Sequence, residues 1–378
     1  MPLSFSLPAR LGAFYFAFFA YSAAYVAYFP LYLAARGLDA AEIAFVLALP
    51  QGARIFAPAA WGWAADRFGA QRAVVLLACA AMALGFALLP AAHGFAAIAI
   101  VVGVSGVFSA GALPLVEAMT LAAVAGSPGR YGPVRLWGSV GFIVVLMAGG
   151  AWLDFGPVTP LPAVVAAFGL AAFAVAAGLP RGTRPAAAHV RAPALPPGAA
   201  ALLAGAFCMS VAHGALYAFF TLHLQRAGYG GAAIGALWTI GVVAEIGVFA
   251  YLPALFRRFA LSTILVASFL LAGVRFLAIA WAISLLPVLV LAQLLHAATF
   301  GAFHAASVAA IHRLFPEGRH GRGQALFSSL GYGAGGAAGA LVAGWAWETS
   351  GPALAFSLAA LAGLAGAYFA SALRRLGL

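Results

Sequence analysis

The chain has 378 residues, of which 65% are hydrophobic and only 7% charged, with a mean hydropathy of +1.06. That composition excludes a disordered chain and an ordinary soluble domain. The formal net charge is +11, which in a soluble protein would suggest nucleic acid, but the placement of the charges here removes the need for that partner.

Apolar runs recur along the whole chain, each of a length that crosses a hydrocarbon core of about 30 Å. Twelve spans are predicted, at residues 11–35, 41–64, 73–92, 95–124, 134–153, 161–179, 200–225, 230–255, 261–283, 286–314, 322–346 and 352–373. In lipid the backbone must satisfy its own hydrogen bonds, so the spans are helices and the fold class is all-α. The first apolar segment is too long for a cleaved signal, and eleven more follow it. The stretch from Pro180 to Gly198 is rich in Pro, Ala and Arg and lacks an apolar period, so it reads as a linker. It divides the chain into six spans (1–180), a cytoplasmic linker (181–198) and six spans (199–378). Cys79 and Cys208 both fall within spans, so no structural disulfide is expected.

Every basic residue is arginine. With both termini in the cytoplasm, fifteen arginines lie on that side, Arg36 and Arg226 lie outside, and Arg54 and Arg275 are embedded. This asymmetry is the positive-inside pattern of a multi-pass membrane protein and fixes the expected orientation.

Four charges are embedded: Arg54, Glu117, Glu245 and Arg275. Each costs roughly 2.5–3.5 kcal/mol at the bilayer centre on insertion scales, so each is a candidate functional residue. The two blocks of six spans resemble each other at an offset of 191, with Arg67-Phe68 on Arg258-Phe259, Tyr32 on His223 and Arg54 on Glu245. An even number of spans preserves orientation, as in parallel repeats about an axis along the membrane normal. The repeat thus sets a base and an acid at equivalent positions, which suggests a bridge between the blocks. A purely structural pair is the alternative.

Trp61 to Arg72 reads W-G-W-A-A-D-R-F-G-A-Q-R. Gly62 is expected to allow close helix approach, Asp66 and Arg67 to sit at a helix end, and Gly69 to permit a tight turn. The pattern resembles the signature gating loop of the major facilitator superfamily. Residues 108–142 carry S-A-G-A before Glu117 and an arginine, Arg135, before G-S-V-G, which resembles the lactose permease branch. There an acid and an arginine on the fourth and fifth helices bind substrate. The stretch with H-G-A-L-Y (His213, Tyr217), A-I-G-A-L-W, G-V-V-A-E (Glu245), G-V-R-F (Arg275) and L-L-H-A-A-T-F-G-A-F-H (His296, His304) is similar to the phenylpropionic acid permease family. The resemblance implies the major facilitator fold, twelve helices in two pseudo-symmetric six-helix blocks, working by alternating access with no cofactor beyond a proton gradient and no metal. It also implies a departure. In lactose permease an acid three residues after the tenth-helix histidine carries the proton, and here that position is Thr299.

The proton site is therefore expected at Glu245, since a carboxyl in an apolar setting can exchange a proton near neutral pH, with His296 and His304 next. Substrate contacts are expected from Glu117, Arg135, Arg54, Arg275 and the tyrosines Tyr25, Tyr28 and Tyr217. Two arginines and an aromatic wall favour a small carboxylate, whereas a Glu117–Arg135 pair favours a hydroxylated ligand such as a sugar or nucleoside. Export by the same fold is a further alternative. The remaining partners are the bilayer and protons, with no nucleic acid, and the chain is expected to be a monomer. A different class, an intramembrane serine protease, rests only on Gly103-Val104-Ser105-Gly106 and a histidine on another helix, His213 or His296. The glycines from Gly331 to Gly339 read as helix packing, not as a nucleotide loop.

Overall fold

A computed structural model describes residues 6–125, 128–181 and 194–378; most of the expected linker, with Arg184, His189 and Arg191, lies outside them. The described residues form helices and no strand. Among the described residues eleven helices are long and apolar enough to cross a membrane: α1 Leu7–Ala35, α2 Ala40–Phe68, α3 Gln71–Ala91, α4 Gly94–Ala123, α5 Tyr131–Leu153, then α7 Ala199–Arg226, α8 Gly231–Arg258, α9 Leu261–Trp281, α10 Leu286–Leu314, α11 His320–Ser350 and α12 Pro352–Leu376. Between α5 and α7 lies α6, Leu161–Ala177, an apolar helix of 17 residues. At about 25 Å it sits at the short end of what a span requires. The twelve expected spans are thus eleven long helices and one short one.

Contacts divide the chain into two compact units, Met1–Leu38 with Phe56–Val190, and Asp39–Ile55 with Arg191–Leu378. In the first unit α1 packs on α5 and α6, and α3 packs on α4 and α6. In the second α7 packs on α11 and α12, and α9 packs on α10 and α12. The second set of pairings is the first shifted by six helices, so the sequence repeat is a repeat of packing.

The repeat extends to single side chains. At the end of α1, Arg36 donates to the Tyr32 hydroxyl at 2.6 Å and to the carbonyls of Leu89 and Ala92 at 3.1 and 2.7 Å, tying α1 to the end of α3. At the equivalent place on α7, His223 donates from Nε2 to the Ile279 carbonyl at 3.1 Å, tying α7 to the end of α9. Arg36→Ala removes three charge-assisted bonds from a half-buried residue. We expect it to lower the melting temperature of the purified protein, with a loss of about 1–2 kcal/mol. An unchanged melting curve would show that the clamp carries no stability.

α2 departs from the single span read in the sequence. It consists of two helical pieces, Ala40–Ala53 and Ala57–Phe68, joined by a turn at Arg54, Ile55 and Phe56. Pro58 sits in the first turn of the second piece, where its missing N–H is harmless. The first piece starts on a capping box between Asp39 and Glu42 and belongs to the second unit. Its first N–H, on Ala40, also donates to the Glu348 carboxylate of α11 at 2.7 Å. Helix α11 approaches α7 through Gly335 and Gly339, where an added Cβ would overlap the backbone of Phe207 and Val211. The glycine run is therefore a helix-packing surface, as small residues are between membrane helices.

Candidate functional site

In the first unit Glu117 and Arg135 face each other across α4 and α5. Glu117 Oε1 lies 3.9 Å from Arg135 Nε, and the side chains are 38% and 30% exposed. At that distance they form an ion pair without a hydrogen bond, so each keeps donor or acceptor capacity for a third group. The Arg135 guanidinium lies over the Phe19 ring at 4.0 Å and the Tyr15 ring at 5.3 Å. Gly138 makes that pose possible, because a Cβ there would fall 2.7 Å from Arg135 Nη1 and 2.9 Å from the Phe19 ring. Tyr15 is fixed in turn by a 3.1 Å hydrogen bond with Thr120. Phe19 and Tyr15 were not among the expected site residues. Tyr15 was legible only as one of a run of tyrosines along α1 that suits a cavity wall, and Phe19, one turn further on, only as apolar surface.

The expected aromatic residues of α1 divide. Tyr25 is half-buried, stacked against Tyr21 and Phe29 with its edge toward Phe86 of α3. Tyr28 is buried; its ring lies against Gly149 and its hydroxyl donates to the Leu146 carbonyl of α5. That commitment makes Tyr28 a packing residue between α1 and α5, which corrects the expectation of a substrate contact. The loop after α2 is likewise mixed. Gly69 ends the helix at φ +62°, the left-handed turn expected of it. Asp66 and Arg67 are exposed. Gly62 does not mediate a close approach: among the described residues nothing lies within 4 Å of where its Cβ would be. Ser105, the centre of the protease-like tetrapeptide, is buried with its hydroxyl against Gly85 of α3, a packing contact.

The second unit gathers more of the expected residues. His296 Nε2 lies 3.7 Å from Glu245 Oε2, with side chains 10% and 21% exposed. The pair forms because α8 and α10 come close through glycines. A Cβ on Gly301 would meet Glu245 Cγ at 3.2 Å, and one on Gly241 would meet His296 Cβ at 3.4 Å and its ring at 3.5 Å. Directly after His296, residues 297–302 form a π-helical turn, and residues 327–335 of α11 form another. Such turns widen the helix locally and are common at functional sites. The second brings Tyr332 to His304, whose Nδ1 lies 2.8 Å from the tyrosine hydroxyl. Tyr217 stacks on Trp238 at 6.4 Å, and its hydroxyl, like that of Tyr332, lies in electrostatic reach of both Arg54 and Glu245. Arg54 is exposed and bonds Gln51 Oε1 at 3.1 Å.

Arg275 is placed differently from the expectation. It is 1% exposed, and its Nη1 donates to Thr299 Oγ1 at 3.1 Å and toward His213 Nε2 at 3.4 Å, while Nη2 donates to Gln293 Oε1 at 3.2 Å. His213 Nδ1 is 2.9 Å from the Met209 carbonyl. A carbonyl only accepts, so Nδ1 carries the proton and Nε2 is the acceptor for the guanidinium. The terminal nitrogens of Arg275 are thus engaged inside the protein, not presented to a solute. Gln293, missed in the sequence, could have been found: residues 293, 296 and 299 follow at intervals of three along α10, a single helical face.

A profile of the MFS_1 like family matches residues 9–358. The chain belongs to that family. The major facilitator fold implied by the gating-loop resemblance is also that of its structural neighbours. The crystal structure of the nucleoside transporter NupG superposes with a TM-score of 0.80 over 98% of this chain and 100% of its own, at 17% identity. A probable 3-phenylpropionic acid transporter of Escherichia coli strain K12 is 32% identical over 203 residues, 52% of this chain and 53% of that protein. A maltose permease of Geobacillus stearothermophilus is 32% identical over 118 residues, 31% of this chain and 29% of that one. The chain therefore spans about half the length, or less, of the curated relatives it matches.

Proposed function

We propose that the protein is a proton-coupled symporter of a small organic carboxylate, working by alternating access in the inner membrane of a bacterium with both termini cytoplasmic. The observation that carries this reading is the Glu245–His296 pair. Two titratable groups 3.7 Å apart sit among apolar helices yet keep a partly exposed carboxylate through which a proton can exchange. A proton on Glu245 removes its charge and makes it a hydrogen-bond donor facing His296, so loading and unloading alters how α8 is held to α10. Exposed Arg54, with Tyr217 and Tyr332 near it, suits a carboxylate carried with an aromatic or apolar body. The arginine asymmetry supports the orientation, and the name of the Escherichia coli relative supports the substrate class.

A second reading rests on the Glu117–Arg135 pair. A carboxylate and a guanidinium held 3.9 Å apart over an aromatic bed suit a hydroxylated ligand, a sugar or nucleoside. A thermal-shift screen of the purified protein against carboxylates, sugars and nucleosides separates the two. The carboxylate reading expects an upward shift with carboxylates that survives Glu117→Gln and disappears in Arg54→Gln. A shift with sugars alone, abolished by Glu117→Gln, would overturn it in favour of the second reading.

A further inference from the structure

Among the described residues the most deeply buried charge has no counter-charge beside it. Among the described residues Arg275 makes no ion pair within 4.0 Å, although it is 1% exposed. Its three partners, Thr299, Gln293 and the neutral His213, all lack charge. Two further donors at the same place are buried without a hydrogen-bond partner: Arg275 Nε and Gln293 Nε2. They belong to side chains already joined through Nη2 and Oε1, so they flank one 3.2 Å bond. An uncompensated guanidinium and two idle N–H donors are each costly in an apolar interior. One small anion accepting from both would relieve all three.

We propose that Arg275 and Gln293 form a binding site for a small inorganic monoanion, chloride under ordinary conditions. A carboxylate fits less well. It prefers two parallel N–H groups of one guanidinium, and here Nη2, the neighbour of Nε, is occupied by Gln293. The site explains the threonine at position 299: a diffusible anion supplies the negative charge that no described residue places beside Arg275. The proposal stands apart from the transport reading, since it concerns a group sealed in the protein.

The test is equilibrium binding of radiolabelled chloride to the full chain, purified in detergent in gluconate buffer. Saturable binding of a single chloride per chain is expected. Gln293→Leu, which removes one donor and keeps the charge, is expected to weaken it by about tenfold or more, the effect of about 1.4 kcal/mol. Thr299→Glu places a carboxylate on the residue that already faces Arg275, and is expected to abolish chloride binding by supplying the anion internally. Absence of saturable binding to the unmodified chain would overturn the proposal, whatever the variants do. So would unchanged binding in Gln293→Leu, or displacement of chloride by benzoate at lower concentration than by bromide.

Discussion

Replacing Glu245 by glutamine is expected to abolish uphill accumulation in proteoliposomes while leaving exchange of labelled for unlabelled substrate largely intact. The substitution keeps the shape of the side chain and its fit beside Gly301. It removes the only acid paired with His296 among the described residues, and with it the group proposed to carry the proton. Under an imposed difference of about one pH unit, about 1.4 kcal/mol is available, so the unmodified protein accumulates substrate up to about tenfold. The variant should only equilibrate it. Exchange needs the transporter to cycle with substrate bound but requires no net proton movement, so it separates coupling from binding. Loss of exchange together with accumulation would assign Glu245 to substrate binding or to the packing of α8 on α10 instead.

The largest effect on stability is expected from Gly339→Val. A Cβ at this position would lie 2.7 Å from the Val211 Cα and 2.9 Å from its carbonyl carbon. Both are backbone atoms of α7, so no rotamer change relieves the overlap and the helices must separate. Overpacking typically costs 1–3 kcal/mol, and a backbone clash belongs at about 3 kcal/mol or beyond. The expected result is loss of the monodisperse folded species on size-exclusion chromatography in detergent. Gly62 supplies the opposite case. It is helical, with open space where a Cβ would go. Gly62→Ala should therefore raise stability by about 0.5–1 kcal/mol through reduced backbone freedom in the unfolded chain. A Gly339→Val protein that melts like the parent would show that α7 and α11 are not held by their glycines.

The architecture was legible because apolar length is a strong signal, and even the short α6 registered as a span. The interruption of α2 was not, although Gly52 and Pro58 mark its place, because the run between them is apolar apart from Arg54, which read as an embedded charge within one span. The repeat set Arg54 against Glu245 as a bridge between the blocks, yet Arg54 belongs to the same unit as Glu245, and the partner of Glu245 did not follow from the repeat. Its contact with His296 depends on the register of α8 against α10, which Gly241 and Gly301 set by letting the helices close. No sequence period reports that register. Arg275 was recognised as an embedded charge, but its burial by Thr299, Gln293 and His213 was not read, because those partners are neutral and lie on two other helices, with only the spacing of 293, 296 and 299 to group two of them. Tyr28 misled for a related reason: its spacing from Tyr25 suggested a shared wall, while its hydroxyl is spent on a carbonyl of α5.

Proton coupling is tested most directly by recording external pH when a carboxylate substrate is added to lightly buffered proteoliposomes, with protein-free liposomes as the baseline for passive entry of the acid. Symport carries protons inward with the substrate, so the expected result is an alkalinisation above that baseline which is absent with Glu245→Gln. A carboxylate that enters through the protein with no alkalinisation above the baseline would contradict proton symport.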